Sequence, residues 1–536
     1  MVQIYPNIAV STTNQGEPAL GTARILFVDA RGLSTDSSIQ DNTLYQNIDE
    51  SQYSLYGNDS LLIDAIKETR AINKSNPIDV IVTPGTGGSS AVATITITGA
   101  ATADGELTFS AVKKRAGTAV NNKGNIQGIK VAVTSGDTAA DIATNLFNAI
   151  ESVRTEEDLF TITDDTSGVL TLTSIPKSSA CNSFYLSLTG AETDKSAPEG
   201  SVIIAGVAVA TTHWTGGSGG SFLLDSQDLE AAINTEQGLS FVVWVCNDID
   251  INVAKAFWES KRNISYGNNQ AAIVFFAESD TLTNLSNTAT SIKSEIICMT
   301  GLSQPAVVGG SNNAYGTPVH IIAAQKAAIM ALREVDGADL SIYITNLSAD
   351  AQRGGIKTLA LPTFNTIIPN LPLANNSLEF TIAEKENLID AGVSVFQTSL
   401  DKTQVAYSKS PMTAYEPGFE LTLNRERIEQ VLAELLLQTF KVSPYAQAAV
   451  TTENAPANNT NFVTIPQIKN AVVQWHSNNQ DIGLIDNSSA TSELFSSTLK
   501  VELEAAGAVK ISFETVPPQA LESITITQTF KLGGNE

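Results

Sequence analysis

The sequence predicts a mixed α/β (α+β) multidomain protein. Its mixed-sheet core is covered by helices and interrupted by a β-rich inserted domain, and its terminal strands are suited to exchange between subunits. Three observations lead there. Short apolar strands alternate with amphipathic helices over residues 21–84 and again after residue 216, the order expected of a sheet covered by helices. Residues 85–215 between them are poor in helix and full of short Thr/Val/Ile runs. Both chain ends alternate apolar and polar residues at period two, the spacing of a half-buried strand.

The ends carry the most specific signal. Val2, Ile4, Ile8 and Val10 share a parity, interrupted by Pro6, as do Ile524, Ile526, Phe530 and Leu532. Chain ends fray unless something binds them. Two β-competent ends are therefore candidate subunit-interface strands, able to pair with sheet edges of neighbouring copies through main-chain hydrogen bonds. The plainer alternative is that both complete the chain's own sheets.

Taken in order, residues 24–29 (RILFVD) read as a short apolar strand and residues 78–83 (IDVIVT) as a second. Between them Asp59 is a candidate N-cap for a helix carrying Leu61, Leu62, Ala65, Ile66 and Ile72, which Asn76-Pro77 stops. Strand, helix, strand at this spacing is a βαβ unit. Texture changes at Pro84-Gly85. Strands are expected at 92–98, 129–134, 160–163, 169–173, 184–189 and 202–211, with one helix at 137–153 bearing Ile142, Leu146 and Ile150 on a stripe. Residues 216–221 (GGSGGS) close this segment and resemble a flexible linker.

After it, helices near 225–234, 253–263 and 282–297 precede strands at 241–246, 271–277 and 305–309. Thr317-Pro318 opens a long helix to about Val335, proline being favourable at the first helical position. Residues 340–420 look irregular apart from a strand at 392–398. Asn424 is placed to cap a helix bearing Ile428, Val431, Leu432, Leu435, Leu436 and Phe440. A polar loop at 451–462, a helix near 492–506 and strands at 509–513 and 523–532 complete the chain. The expected division is an N-terminal arm (1–20), two parts of the α/β core (21–84 and 216–370), the insertion (85–215), a C-terminal core domain (371–520) and a C-terminal arm (521–536).

With 536 residues the chain can bury roughly three to four cores. A net charge of −25 argues against nucleic acid, which requires clustered Lys and Arg. It also means that copies repel one another, so self-association must rest on apolar or main-chain contacts. Cys181, Cys246 and Cys298 are too few and scattered for a disulfide framework, and the latter two sit in apolar runs. No secretory signal and no membrane-length apolar run is read, so folding in a cytoplasm without membrane insertion is expected.

Chemistry is sparse. The three histidines, His213, His320 and His476, form no ligand-spaced cluster and read as structural. Gly216-Gly217-Ser218-Gly219-Gly220 matches G-x-S-x-G, but a nucleophile elbow needs a buried strand leading straight into the turn and a helix leaving it. Gly85–Ser90 lacks a P-loop lysine. Residues 248–252 (DIDIN) begin like a calcium loop but carry Val253 in place of the turn glycine, and read as a cap for the next helix. Glu156-Glu157 and Asp164-Asp165 read as solvated carboxylates. No catalytic, cofactor or metal site is expected.

Several stretches together resemble the contractile tail sheath proteins of long-tailed bacteriophages, the Mu-like sheath group in particular. Residues 53–73 (YSLYGNDSLLIDAIKETRAIN) are similar to that family's "FGxGSxLAxM" block and following helix, with Tyr56-Gly57-Asn58-Asp59-Ser60 in place of the second glycine pattern. Residues 24–29 resemble the preceding strand, and residues 136–150 (GDTAADIATNLFNAI) the "GDTAAxIAxxxxxAIN" helix of that group's inserted domain. Residues 215–220 resemble the element closing that insertion, and residues 516–532 the final strand. The resemblance implies a virion-tail subunit assembled in the bacterial host cytoplasm as stacked hexameric rings around a tail tube. Its partners would be further copies of itself, the tube protein, and baseplate and terminator proteins, and no cofactor would be needed. Its arms would join sheets of adjacent copies, and contraction would drive the tube through an envelope. The alternatives are a virion decoration or adhesion protein binding through residues 85–215, and a hydrolase using Ser218.

Overall fold

The computed structural model describes residues 23–30, 35–58, 60–112, 126–155, 158–189, 200–222, 224–233, 239–246, 248–261, 272–292, 294–303, 317–335, 337–340, 355, 367–368, 379–399, 402–405, 423–440, 445, 448–451, 462–503 and 509–518. At its centre is a six-stranded sheet in the order Ile297–Ser303, Ile273–Asp280, Leu239–Trp244, Arg24–Ala30, Ile78–Thr83, Leu44–Tyr45. The first five strands are parallel and the last is an antiparallel edge. The near-continuous apolar strands have a direct cause, because each strand is covered on both faces.

Alternate residues of one strand serve opposite layers. Ile25 and Phe27 pack with the helices Leu61–Ile72 and Val319–Arg333, whereas Leu26 and Val28 pack with Ser226–Ile233, Ile251–Lys261 and Leu282–Ile292. The α/β class read from the sequence is the class observed. Details differ. The first helix is capped by Ser60, whose Oγ accepts from Ile63 N at 3.2 Å; Asp59 lies outside the described residues. Pro318 occupies the N-cap of Val319–Arg333, one position before the site expected for it. The helix expected over 282–297 ends at Ile292 and the strand runs Ile297–Ser303, while 305–309 lies outside the described residues. The cause is visible in the spacing. Leu285, Ala289, Ile292 and Ile296 continue a helical stripe across the boundary, so periodicity alone could not place it.

Residues 92–211 build two antiparallel sheets. One has five strands in the order Gly200–Ile204, Val207–Thr211, Val92–Thr98, Val169–Ser174, Phe160–Asp164. The other has three, Tyr185–Thr189, Gly105–Val112, Ile126–Val133. The helix Ala139–Glu151 packs its Ile142, Leu146 and Ile150 stripe against them. It starts from a capping box in which Thr138 and Asp141 satisfy each other's backbone N–H.

The glycine-rich stretches at the two ends of this segment are not free hinges. They pair with each other, Gly85–Thr86 with Ser221–Phe222, Ser89 with Ser218 and Val92 with Thr215. A side chain at Gly88, where φ is +77°, would meet Ser218 O at 2.9 Å, so glycine is required where the ribbon closes. The segment is also continuous with the core beneath. The Val319 amide donates to Ser183 Oγ at 3.2 Å, and the Ser178 hydroxyl and Ser179 amide donate to Asp248 at 2.6 and 2.9 Å. Excising residues 85–215 would uncover the buried Val319 and His320.

A third cluster gathers the helices Leu423–Phe440, Ile465–Asp481 and Ser489–Thr498 with the hairpin Lys500–Leu503/Val509–Ser512. Ile465–Asp481 was not expected from the sequence, nor was Ile382–Asp390 in the stretch read as irregular. Asn424 lies inside the first turn of its helix and not at its cap. The helix expected over 492–506 ends at Thr498 and gives way to the Lys500–Leu503 strand. Of the strand expected at 392–398, Ser394 bridges Thr300 at the sheet edge, and Phe396–Ser399 pairs with Lys402–Val405.

Candidate functional site

The candidate interface residues Val2, Ile4, Ile8, Val10, Ile524, Ile526, Phe530 and Leu532 lie outside the described residues. What the structure describes is a set of small sheets on which added strands could land. They are the hairpins Phe396–Ser399/Lys402–Val405 and Lys500–Leu503/Val509–Ser512, and the parallel pair Ala449–Thr451/Phe462–Thr464. Among the described residues each has only two strands. Two-stranded sheets are marginal alone. The Lys500–Leu503/Val509–Ser512 hairpin is anchored on one side. Val501 and Ile511 pack on the cluster holding Trp475 and Phe495, while Leu503 is exposed.

The groups singled out for chemistry fall into structural roles. His320 Nε2 lies 2.9 Å from Asp64 Oδ2, both side chains buried, and joins the two helices on one face of the sheet. Asn73 Nδ2, donating to Ala328 O at 3.1 Å, adds to that junction. His476 stacks on Phe495 with ring centroids 3.7 Å apart. His213 is half-buried beside Trp214. Ser218 is held in an antiparallel bridge, its amide donating to Ser89 O at 3.0 Å, and the next helix begins only at Ser226. The strand–turn–helix that exposes a nucleophile is not the setting of this serine. Residues 248–252 form a helix entry, with the Asn252 amide donating to Asp250 Oδ1 at 2.9 Å. Asp164 and Asp165 organise a surface turn, accepting from the Thr166 and Ser167 amides. Glu156 and Glu157 lie outside the described residues.

All three cysteines are unbridged and buried. Burial pushes the Cys181 thiol up to about 12 and the Cys246 thiol well above its ordinary range, which withholds the thiolate that reactivity needs. Among the described residues the most perturbed carboxyl is Asp29, at the carboxyl end of the central Arg24–Ala30 strand. Burial raises it to about 7, although the Ala30 amide donates to it at 2.8 Å. Sequence reading did not single it out, because a strand-terminal Asp looks like any turn residue until the layers above it are known. Among the described residues no group of three or more His, Cys, Asp or Glu is arranged to hold a metal ion, and no helix is long and apolar enough to cross a membrane.

No protein-family model and no curated protein matches this chain. Among solved structures it is similar to a sheath tail protein from Desulfitobacterium hafniense, at 14% identity and a TM-score of 0.41, over 96% of this chain and 97% of that one. It is also similar to a sheath tail protein from Listeria innocua, at 12% identity and a TM-score of 0.40, over 93% and 92%. A third similarity is to the contracted helical sheath of the anti-feeding prophage, at 8% identity and a TM-score of 0.44, over 99% and 100%.

Proposed function

We propose that this chain is the repeating subunit of a contractile tail sheath. The reading is carried by two alternating chain ends together with sheets of the C-terminal region that have only two strands each among the described residues. The ordered sheath-like blocks at 24–29, 53–73, 136–150, 215–220 and 516–532 support it. In this reading the arms, residues 1–20 and 521–536, add strands to the two-stranded sheets of adjacent copies. Main-chain pairing would hold a surface of charge −25 together where side-chain electrostatics would not.

Copies stack as hexameric rings around a tail tube, ending at baseplate and terminator proteins, within a particle assembled in the host cytoplasm. Contraction lets the rigid α/β bodies rotate and slide while exchanged strands keep neighbours tethered. The energy comes from the closer packing of neighbouring subunits in the compact state. The sheets of residues 85–215 face outward.

Electron microscopy of the expressed protein is expected to show hollow striated tubes or rings. Deleting residues 1–10 or 521–536 is expected to leave soluble monomers by light scattering. Tubes of wild-type length from both truncated proteins would remove strand exchange from this account.

A further inference from the structure

The seam between the inserted segment and the central sheet is built on two carboxylates. Asp29 lies at the carboxyl end of the Arg24–Ala30 strand, and Asp248 follows the neighbouring parallel strand Leu239–Trp244. Against them packs the short helical turn Ser179–Ser183 of the inserted segment. Asp248 makes the bonds. It accepts the Ser178 hydroxyl at 2.6 Å and the Ser179 amide at 2.9 Å. The glycine ribbon that closes the insertion lies on the same side chain, because a Cβ at Gly219 would collide with it.

Asp29 lies behind Asp248 and is buried. The Ala30 amide donates to it at 2.8 Å, and the Cys246 thiol and the Leu62 amide, in the first turn of the helix Leu61–Ile72, add further bonds. From the inserted segment, the Cys181 thiol is near enough to feel both carboxylates, and its sulfur donates to Pro176 O at 3.4 Å. The groups acting most strongly on the Asp29 carboxyl include no Lys, Arg or His, and the one charged group among them is Asp248. A buried carboxylate without a cation is costly, so the closed seam favours the protonated acid. Once ionised, Asp29 gains by reaching water and places a like charge beside Asp248. Both effects weaken the hold on Ser178 and Ser179.

We propose that Asp29 and Asp248 make this seam a proton-controlled latch, which fastens the inserted segment to the core while Asp29 is protonated and loosens when it ionises. The inference is independent of the assembly reading above. Opening the seam hydrates Asp29 and returns its carboxyl from about 7 toward 3.8. Opening is therefore favoured by at most about tenfold per pH unit as pH rises between those values, and no further above them.

Amide hydrogen exchange of the full-length protein and of Asp29→Asn tests it at pH 5, 6, 7 and 8. Two amides report on the seam: Ser179, which donates to Asp248, and Val319, which donates to Ser183 Oγ at 3.2 Å. The Leu499 amide, donating to Phe495 O at 2.9 Å at the end of a helix in the C-terminal cluster, is the control, since helix ends exchange by local fraying. The variant keeps an oxygen for the Ala30 amide and leaves the intrinsic exchange of these distant amides unchanged. The ratio of wild-type to variant exchange at Ser179 and Val319 is expected to rise by more than about threefold from pH 5 to pH 7 and then to level off, with no rise at Leu499. A smaller rise at the seam, or one at Leu499 as large as that at Ser179, would overturn the proposal. If the variant fails to fold, the wild type alone decides it. Its protection at Ser179 and Val319, corrected for intrinsic exchange, is expected to fall relative to that at Leu499 over the same range, and a constant relation would overturn the latch.

Discussion

Glu334→Gln is expected to destabilise the protein by about 3–5 kcal/mol, the cost of leaving one member of a buried ion pair without its partner. Glu334 receives both Arg427 Nε, at 2.6 Å, and Arg427 Nη2, at 2.8 Å, and the two side chains are only 3% and 5% exposed. The pair spans 93 residues and fastens the helix Leu423–Phe440 to the end of Val319–Arg333. The Arg427 guanidinium also lies over the Phe241 ring, 5.3 Å from its centroid, which brings a central-sheet strand into the same junction. Glu334 has a second duty. The neighbouring Arg333 is buried, and desolvation brings its guanidinium down to about 10, with the Glu334 charge opposing that fall. Neutralising Glu334 therefore removes the carboxylate charge that acts on both guanidinium groups. Replacing Arg427 by Met in the same background is expected to recover part of the loss, because one uncompensated charge then disappears. Chemical denaturation of the four proteins of this cycle measures both effects, and a loss under about 1 kcal/mol in the single variant would mean that the pair is hydrated and unimportant.

Asp29→Asn is expected to stabilise the protein above pH 7 and to leave it nearly unchanged at pH 4. The Asp29 carboxyl lies near 3.8 when exposed and is raised to about 7 in the fold, by burial first. The folded state therefore holds the proton more tightly than the unfolded chain. Its contribution to stability is complete below about pH 4 and is lost as pH rises through about 7. A difference of about three pH units corresponds to about 4 kcal/mol. The groups facing it relieve the charge only in part. The Ala30 amide, the Cys246 thiol and the Leu62 amide hydrogen-bond it and oppose the rise, while Asp248 adds a second carboxylate nearby. Asparagine keeps an oxygen for the Ala30 amide and carries no titrating proton. The difference between wild type and variant, read from denaturation midpoints at pH 4, 6 and 8, should grow with pH. A flat difference would show that Asp29 is not the titrating group.

Much of the architecture was legible because the layers impose simple patterns. Doubly covered strands such as residues 24–29 and 78–83 must be apolar on both sides. The Ile142, Leu146, Ile150 stripe has a single partner face and so keeps a helical period. Some misses were avoidable. Thr464-Ile465-Pro466-Gln467 carries a capping box and an early proline, followed by Ile468, Val472 and Trp475 at helical spacing. Thr381 and Glu384 form another capping box in a stretch read as irregular. Other features could not be read. Asp29 and Asp248 look like ordinary turn or surface acids, and their neighbours are distant in sequence.

The sequence alone determined the local periodicities: the apolar strands at 24–29 and 78–83, the helical stripes that start at Leu61 and Ile142, and the strand-like alternation of both ends. Those are local properties, set by backbone geometry and the side chains a few residues away. Only the tertiary structure decided that the glycine-rich ends of the insertion close on each other, that Arg427 meets Glu334 and that Asp29 and Asp248 come together beneath the insertion. Each of these depends on groups brought together across tens to hundreds of residues, where burial and charge compensation are set by the packed neighbours and not by the chain's own order.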